Sequence, residues 1–273
     1  MSHANNNISV VTVLSLLAKK QAGEPISMVT CYDSAFGRLV EASPIDMVLV
    51  GDSLGNVILG HASTIPVTIE DMVHHTAAVT RVVRRPFVAA DMPFLTYATK
   101  DDALKNAARL VQVGGAAAVK LEGGQSVCPQ IEALVENGIP VIGHLGLTPQ
   151  SVHALGGYRV QAKEQAARDK LIADARALQD AGICCLVLEM IPGSLGEAVS
   201  KQLKIPTIGI GAGSGCDGQV LVLHDLLGFD ASFNPKFLKK YANLEKIVGD
   251  ALVSFNNDVK SKKFPTAEHS FGS

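Results

Sequence analysis

The chain has 273 residues, of which 47% are hydrophobic and 18% charged, and its formal net charge is -2. That length supports one large domain with a substantial core, and the balance excludes a disordered chain. No long basic or acidic block appears, and no apolar run approaches the roughly 20 residues of a membrane span, so nucleic-acid binding and membrane insertion gain no support.

The opening Met1–Asn7 is polar and does not read as a secretory signal. Ser9 to Lys20 predicts a short leading helix with Val13, Leu14, Leu16 and Leu17 as its apolar side. Short apolar runs and longer amphipathic segments then alternate. Ile26–Cys31 reads as the first strand and Asp33–Glu41 as a helix. Met47–Val50 is the second strand, followed by a long loop with Gly60, His61 and Pro66 and a helix near Ile69–Val82. Phe87–Asp91 is the third strand and Lys100–Val113 the next helix. Ala117–Glu122 and Ile139–His144 are the fourth and fifth strands, with a helix near Ser126–Glu136 between them. Ala162–Ala181 is a strongly amphipathic helix, with Leu171, Ala175 and Leu178 on one face. Ile183–Glu189, Ile205–Ile210 and Gln219–Leu223 are strands six to eight, and the tail after Asn234 reads as mostly helical until Lys260.

This alternation predicts an α/β fold, a (β/α)8 TIM barrel with an N-terminal helix and a helical C-terminal tail. It is expected to form a single domain over residues 1–273, with its barrel core at about 26–230. A doubly wound sheet would place a Gly-rich phosphate loop after the first strand. The turn there, Cys31-Tyr-Asp-Ser-Ala35, has none. The five cysteines, Cys31, Cys128, Cys184, Cys185 and Cys216, form no CxxC pair and are odd in number. They read as reduced, mostly buried thiols of a cytoplasmic protein.

Polar residues cluster at the ends of the strands, which in a barrel converge on one rim. Asp52, Asp91 and Glu122 close strands two, three and four. Taken singly, each reads more readily as a helix cap or the start of a turn than as a ligand. Together, on neighbours about 4.8 Å apart, they point to one hard cation such as Mg²⁺. Lys120 shares its side of the strand with Glu122 and suits a substrate carboxylate or a developing oxyanion; pairing with an acid for structure alone stays open. Ser53 is placed to donate to the same substrate carboxylate. Glu189, at the end of strand six among apolar neighbours that should raise its pKa, suits a general base, and His144, at the end of strand five, a contact to a polar substrate group. The run Ile208-Gly-Ile-Gly-Ala-Gly213 fits a phosphate site, a close approach to an organic substrate or pterin, or a tight turn.

With these residues assembled, the chain resembles the ketopantoate hydroxymethyltransferase family. The likeness is carried by Val50-Gly-Asp-Ser-Leu-Gly55, Gly60-His-Ala-Ser-Thr-Ile-Pro-Val-Thr68, His75–Val79, Ala90-Asp-Met-Pro-Phe94, Val119-Lys-Leu-Glu-Gly-Gly124 and Gly143-His-Leu-Gly-Leu-Thr-Pro-Gln-Ser151. Gly156-Gly-Tyr158, Leu188-Glu189, Gly209–Gly213 and Asp217-Gly-Gln219 complete the set, which spans Met28 to Phe229. The resemblance implies a Mg²⁺-dependent barrel of the phosphoenolpyruvate/pyruvate type. Such a barrel would transfer a one-carbon unit from 5,10-methylenetetrahydrofolate to 3-methyl-2-oxobutanoate, giving 2-dehydropantoate for pantothenate synthesis. It implies metal residues at Asp52, Asp91 and Glu122, substrate contacts at Asp52, Ser53, Asp91 and Lys120 with His144 nearby, a proton acceptor at Glu189, and a ring-like homo-oligomer, commonly a decamer. The alternatives are another Mg²⁺-dependent 2-oxo acid lyase or mutase of the same superfamily, and a barrel that binds a small molecule without catalysis. The lyases and mutases usually carry a mobile catalytic loop after the fourth or fifth strand, and Gly143–Ser151 offers nothing of that kind.

Overall fold

The computed structural model describes residues 9–272. The polar leader Met1–Asn7 lies outside the described residues. Eight parallel strands close into a barrel in sequence order: β1 (Ile26–Thr30), β2 (Met47–Val50), β3 (Phe87–Asp91), β4 (Ala118–Glu122), β5 (Val141–Gly146), β6 (Cys185–Glu189), β7 (Thr207–Ile210) and β8 (Gly218–Leu221). The last strand pairs with the first through Met28 and Val220, so the sheet has no free edge.

The barrel is filled rather than hollow. Met28, Met47, Leu49, Phe87, Ala89, Ala118, Ile142, Cys185, Val187, Ile208 and Val220 form one buried cluster inside it. Large Met, Leu, Ile and Phe side chains share the interior with the small Ala89 and Ala118, as a filled barrel core requires.

Helix α1 (Val13–Ala22) starts at Thr12, whose side chain and that of Ser15 cap each other's backbone N–H. Its Leu16, with Val11 before it, joins the interior cluster. Three polar ties hold this segment across the N-terminal ends of the strands. The Val11 N–H donates to Arg85 O at 2.8 Å. Lys19 Nζ lies 3.2 Å from Asp46 Oδ1. Lys20 Nζ lies 2.6 Å from Asp217 Oδ2, which also accepts from the Thr207 N–H and hydroxyl at 2.8 and 2.9 Å. The polar side chains that could do chemistry are thus left to the opposite rim.

The outer helices are α2 (Ser34–Glu41), the short α3 (Leu54–Val57), α4 (Ile69–Thr80), α5 (Lys100–Ala108), α6 (Cys128–Glu136), the short α7 (Val152–Leu155), α8 (Gln165–Asp180) and α9 (Gly193–Gln202). Strands β5 and β7 begin two residues later than expected, because Pro140 and Pro206 have no N–H for the ladder. Helix α8 begins at Gln165 rather than Ala162, whose φ of +52° cannot start a helix. Helix α5 widens into a π-helical turn over Arg109–Val113, with the Gly114 N–H bonded to Arg109 O. Helix α9 is absent from the sequence expectation, since Gly193 and Gly196 lower its helix propensity. Both glycines are there for contact: a Cβ on Gly196 would strike the Ala212 carbonyl, and a Cβ on Gly213 would sit 2.7 Å from Gly193 Cα.

The barrel unit ends at Val222, and a second compact unit runs from Leu223 onward. That unit contains α10 (Leu223–Leu227) and α11 (Leu244–Lys260), the latter capped by the Asn243 side chain. The expected helical tail is therefore largely one helix, entered from an irregular stretch over residues 228–243. All five cysteines are free. Burial pushes the Cys31 thiol up to about 11 and that of Cys184 up to about 12, which keeps both neutral. Among the described residues no helix is long and apolar enough to cross a membrane.

The Lys20–Asp217 tie closes the barrel at its β7–β8 seam. Asp217→Ala takes the carboxylate from the part-buried Lys20 ammonium, which keeps only Ser200 O, and leaves the Thr207 N–H without its acceptor, and should lower stability by about 2 kcal/mol. Urea unfolding followed by circular dichroism measures it; an unchanged midpoint would refute the role.

Candidate active site

Side-chain direction in a strand alternates, so one inward residue fixes the rest. Phe87 and Ala89 lie in the interior, and Asp91 follows them at the same parity. Ala118 leads to Lys120 and Glu122, Ile142 to His144, and Cys185 and Val187 to Glu189. The register then makes Asp91 the direct neighbour of Lys120, and Glu122 that of His144. Strand β2 ends at Val50, and the chain turns through Gly51, where a Cβ would lie 2.9 Å from Ser53 Oγ and 3.4 Å from Asp91 Oδ2. The turn brings the Asp52 N–H within 2.9 Å of Asp91 Oδ2.

The result is one polar cluster on the C-terminal rim. Lys120 Nζ lies 2.7 Å from Asp91 Oδ1 and 3.7 Å from Glu122 Oε1. His144 bridges two acids, with Nδ1 3.2 Å from Glu122 Oε1 and Nε2 3.3 Å from Glu189 Oε2. The side chains of Asp91, Lys120, Glu122 and His144 are at most 4% exposed, whereas that of Glu189 is 18% exposed. Glu189 therefore stands at the mouth and the others beneath it.

The electrostatics follow from burial and crowding. Burial pushes the Asp52 carboxyl well above its ordinary range, and the charges of Asp91 and Glu122 add to that. Burial also penalises the Lys120 ammonium, but Asp91, Glu122 and Asp52 outweigh it and hold the pKa well above the usual lysine value. For Glu122, burial is outweighed by His144 and Lys120, so the carboxylate is held below its usual range. Burial and Lys120 push His144 down, while Glu122 and Glu189 overcome them and lift it to about 9.

Asp52, Ser53, Asp91, Lys120, Glu122, His144 and Glu189 are all placed on this rim. Two of them differ in detail from the sequence reading. The neighbour of Glu189 is His144, where apolar surroundings were expected, and both ring nitrogens of His144 face carboxylates. Ser53 Oγ lies 2.9 Å from the Tyr32 hydroxyl, and Tyr32 O is 2.6 Å from His75 Nδ1.

Three supporting residues were not singled out from the sequence. Buried Gln150 donates through Nε2 to Asp52 Oδ2 at 2.8 Å and to Met92 O at 2.9 Å, and its backbone N–H donates to Glu122 Oε2 at 3.0 Å. The Tyr97 hydroxyl donates to Gln150 Oε1 at 2.7 Å and accepts from the Glu122 N–H at 3.3 Å. Tyr32 is the third. The only local signal was the position of Gln150 in the first turn after strand five; burial of a glutamine marks it, and burial is invisible in sequence.

Four carboxylates here face one ammonium and one imidazole. Among the described residues no group of three or more His, Cys, Asp and Glu is set out as a finished metal site. Lys120 and Gln150 instead hold the acids. The donor set nevertheless fits a hard divalent cation: the oxygens belong to carboxylates, and the acids outnumber the ammonium and imidazole that face them. The Gly209–Gly213 run packs against the start of α9, as the Gly193–Gly213 approach shows, so it serves as the tight turn.

Comparison with known proteins agrees with this geometry. A family model described as ketopantoate hydroxymethyltransferase matches residues 10–267. The 3-methyl-2-oxobutanoate hydroxymethyltransferase of Thermoanaerobacter sp. (strain X514) is 53% identical over 262 residues, covering 96% of each chain. That of Moorella thermoacetica is 54% identical over 264 residues, covering 96% of this chain and 98% of the relative. Among solved structures, a phosphonopyruvate hydrolase in complex with oxalate and Mg²⁺ superposes with a TM-score of 0.61 at 12% identity, over 95% of this chain and 93% of that one. A phosphoenolpyruvate phosphomutase of Streptomyces platensis subsp. rosaceus gives 0.60 at 16% identity, over 92% and 88%. Those two share the fold.

Gln150→Leu keeps the bulk but leaves Asp52 Oδ2 without its donor and takes from the Tyr97 hydroxyl its 2.7 Å acceptor. It should cost about 2 kcal/mol of stability. The thermal melting temperature reads this; a melt equal to the unaltered protein would show that Gln150 holds nothing.

Proposed function

The chain belongs to the ketopantoate hydroxymethyltransferase family, and we propose that it joins 3-methyl-2-oxobutanoate, the methylene carbon of 5,10-methylenetetrahydrofolate and water to give 2-dehydropantoate and tetrahydrofolate. This is the first step of pantothenate synthesis. The observation that supports it most directly is the convergence of Asp52, Asp91, Lys120, Glu122, His144 and Glu189 on one rim of a barrel matched along nearly its whole length by that family.

Carbon 3 of the ketoacid carries a weakly acidic proton. Its removal places negative charge beside a carboxylate, so the task of the site is to neutralise a dianion. Glu189 is the proton acceptor. It is the most exposed acid of the cluster, and His144 holds one of its oxygens, leaving the other for the proton. The Lys120 ammonium, raised in pKa by its acidic neighbours, keeps its charge and faces the developing oxyanion. Ser53, steered by the Tyr32 hydroxyl, donates to the ketoacid carboxylate. Asp52, Asp91 and Glu122 would hold Mg²⁺, which supplies Lewis-acid stabilisation of the enolate when bound. The carbanion then attacks the methylene carbon of the folate.

The same reading makes the protein cytoplasmic and homo-oligomeric, commonly a decamer. Free cysteines support the first. Exposed Ile247, Leu252 and Phe255 on α11 support the second, as apolar side chains that a neighbouring copy would cover. A monomeric mass by sedimentation would rule the oligomer out.

Incubation with 3-methyl-2-oxobutanoate, methylenetetrahydrofolate and Mg²⁺ should yield dehydropantoate, and EDTA should abolish it. Turnover that survives EDTA would remove the metal from the reading. Glu189→Gln should still bind the ketoacid while losing exchange of its carbon 3 proton in deuterated water, followed by proton NMR. Exchange at the full rate in that variant would reassign the base.

A further inference from the structure

A cleft of about 380 Å³ opens between the segments that follow β2 and β5, lined by Ala62 and Ser63 from the first and by Val152, His153 and Tyr158 from the second. We propose that this cleft holds the flat aromatic portion of the folate co-substrate, with Tyr158 as the face on which it stacks. The proposal rests on the reaction assigned above and adds the place where the one-carbon donor sits.

Position is the first argument. Ala62 and Ser63 follow β2, the strand that delivers Asp52, and Val152–Tyr158 follow β5, the strand that delivers His144. Val152 lies two residues past Gln150, whose amide holds Asp52. The segment from Leu147 to Gln161 is tied at both ends to the end of β6: the Leu147 N–H donates to Glu189 O at 2.8 Å, and the Gln161 N–H to Met190 O at 2.8 Å. Tyr158 is carried on that anchored segment. Its phenol is within electrostatic reach of the rim, being raised in pKa by burial first and then by the carboxylates of Asp52, Glu189 and Glu122. A methylene carbon carried in this cleft is delivered beside the proton acceptor.

Chemistry is the second argument. The volume lies within the range of about 300–1,000 Å³ usual for small-molecule sites. The walls are mostly apolar, with few polar groups, as a flat heteroaromatic ring requires. Tyr158 is 56% exposed, a large apolar face left uncovered at the edge of a buried ionic site. Gly156 and Gly157 take φ of +69° and +105°, and a Cβ on Gly157 would meet nothing within 4 Å, so the floor stays open for a planar group. Ser63 and His153 supply polar contacts on either wall. The ketoacid, small and anionic, has no use for such a surface; the folate does.

Steady-state kinetics and tetrahydrofolate binding by calorimetry test this. Stacking a flat ring on an aromatic side chain is worth enough that Tyr158→Ala should raise the KM for methylenetetrahydrofolate and the Kd for tetrahydrofolate by about 10-fold or more. The ketoacid KM and folate-free exchange of its carbon 3 proton should stay within about twofold of the unaltered protein. Tyr158→Phe should restore folate affinity, because the ring and not the hydroxyl carries the contact. Ala62→Trp, filling the cleft from the opposite wall, should reproduce the folate-only effect. An unchanged folate KM in both Tyr158→Ala and Ala62→Trp, or a parallel rise in the ketoacid KM, overturns the assignment. If the unaltered protein forms dehydropantoate while these variants keep their folate affinity, the cleft alone is wrong. If it forms none, the reaction is wrong and the assignment falls with it.

Discussion

The ion pair between Lys120 and Asp91, with nitrogen and oxygen 2.7 Å apart and both side chains almost wholly buried, is the interaction on which the site depends. An ammonium in a barrel interior is costly unless it is paired, and a cluster of acids is costly unless a cation stands among them. Each group makes the other tolerable. The register of β3 against β4 sets the two residues side by side, so the pair is a consequence of barrel closure. Glu122 and His144 repeat the arrangement one strand further round.

A second layer keeps the acids in place without carrying charge. Gln150 reaches Asp52 through its side chain and Glu122 through its backbone, and the Tyr97 hydroxyl holds the remaining face of the Gln150 amide. Neutral donors can be buried at lower cost than cations and still direct carboxylate oxygens. The site thus keeps an excess of negative charge, which favours a divalent cation, without letting the acids swing apart.

The two ends of the barrel divide the work. At the N-terminal end, α1 covers the strands, and Lys19 and Lys20 are tied to Asp46 and Asp217. At the C-terminal end, the loops after β2 and β5 leave a mostly apolar cleft with an exposed tyrosine. A solved hydrolase and a solved mutase of similar fold share the frame at 11–16% identity, so the frame does not choose the chemistry; the side chains on the rim do.

The sequence by itself determined the strand count, the order of elements and which polar residues end the strands. Short apolar runs closed by Asp52, Asp91, Glu122, His144 and Glu189 are local patterns, and alternation makes their common direction a local property too. The family resemblance was likewise legible in contiguous motifs. Only the tertiary structure decided who meets whom. Helix α9 escaped notice because its glycines answer to Ala212 and Gly213 rather than to helix propensity. Gln150, Tyr97 and Tyr32 stayed hidden because a polar side chain acquires its role through burial against partners distant in the chain. The ends of β5 and β7 shifted where prolines interrupted the ladder. A strand end carries its chemistry in its own residues, but a pocket exists only where closure brings separate strand ends together.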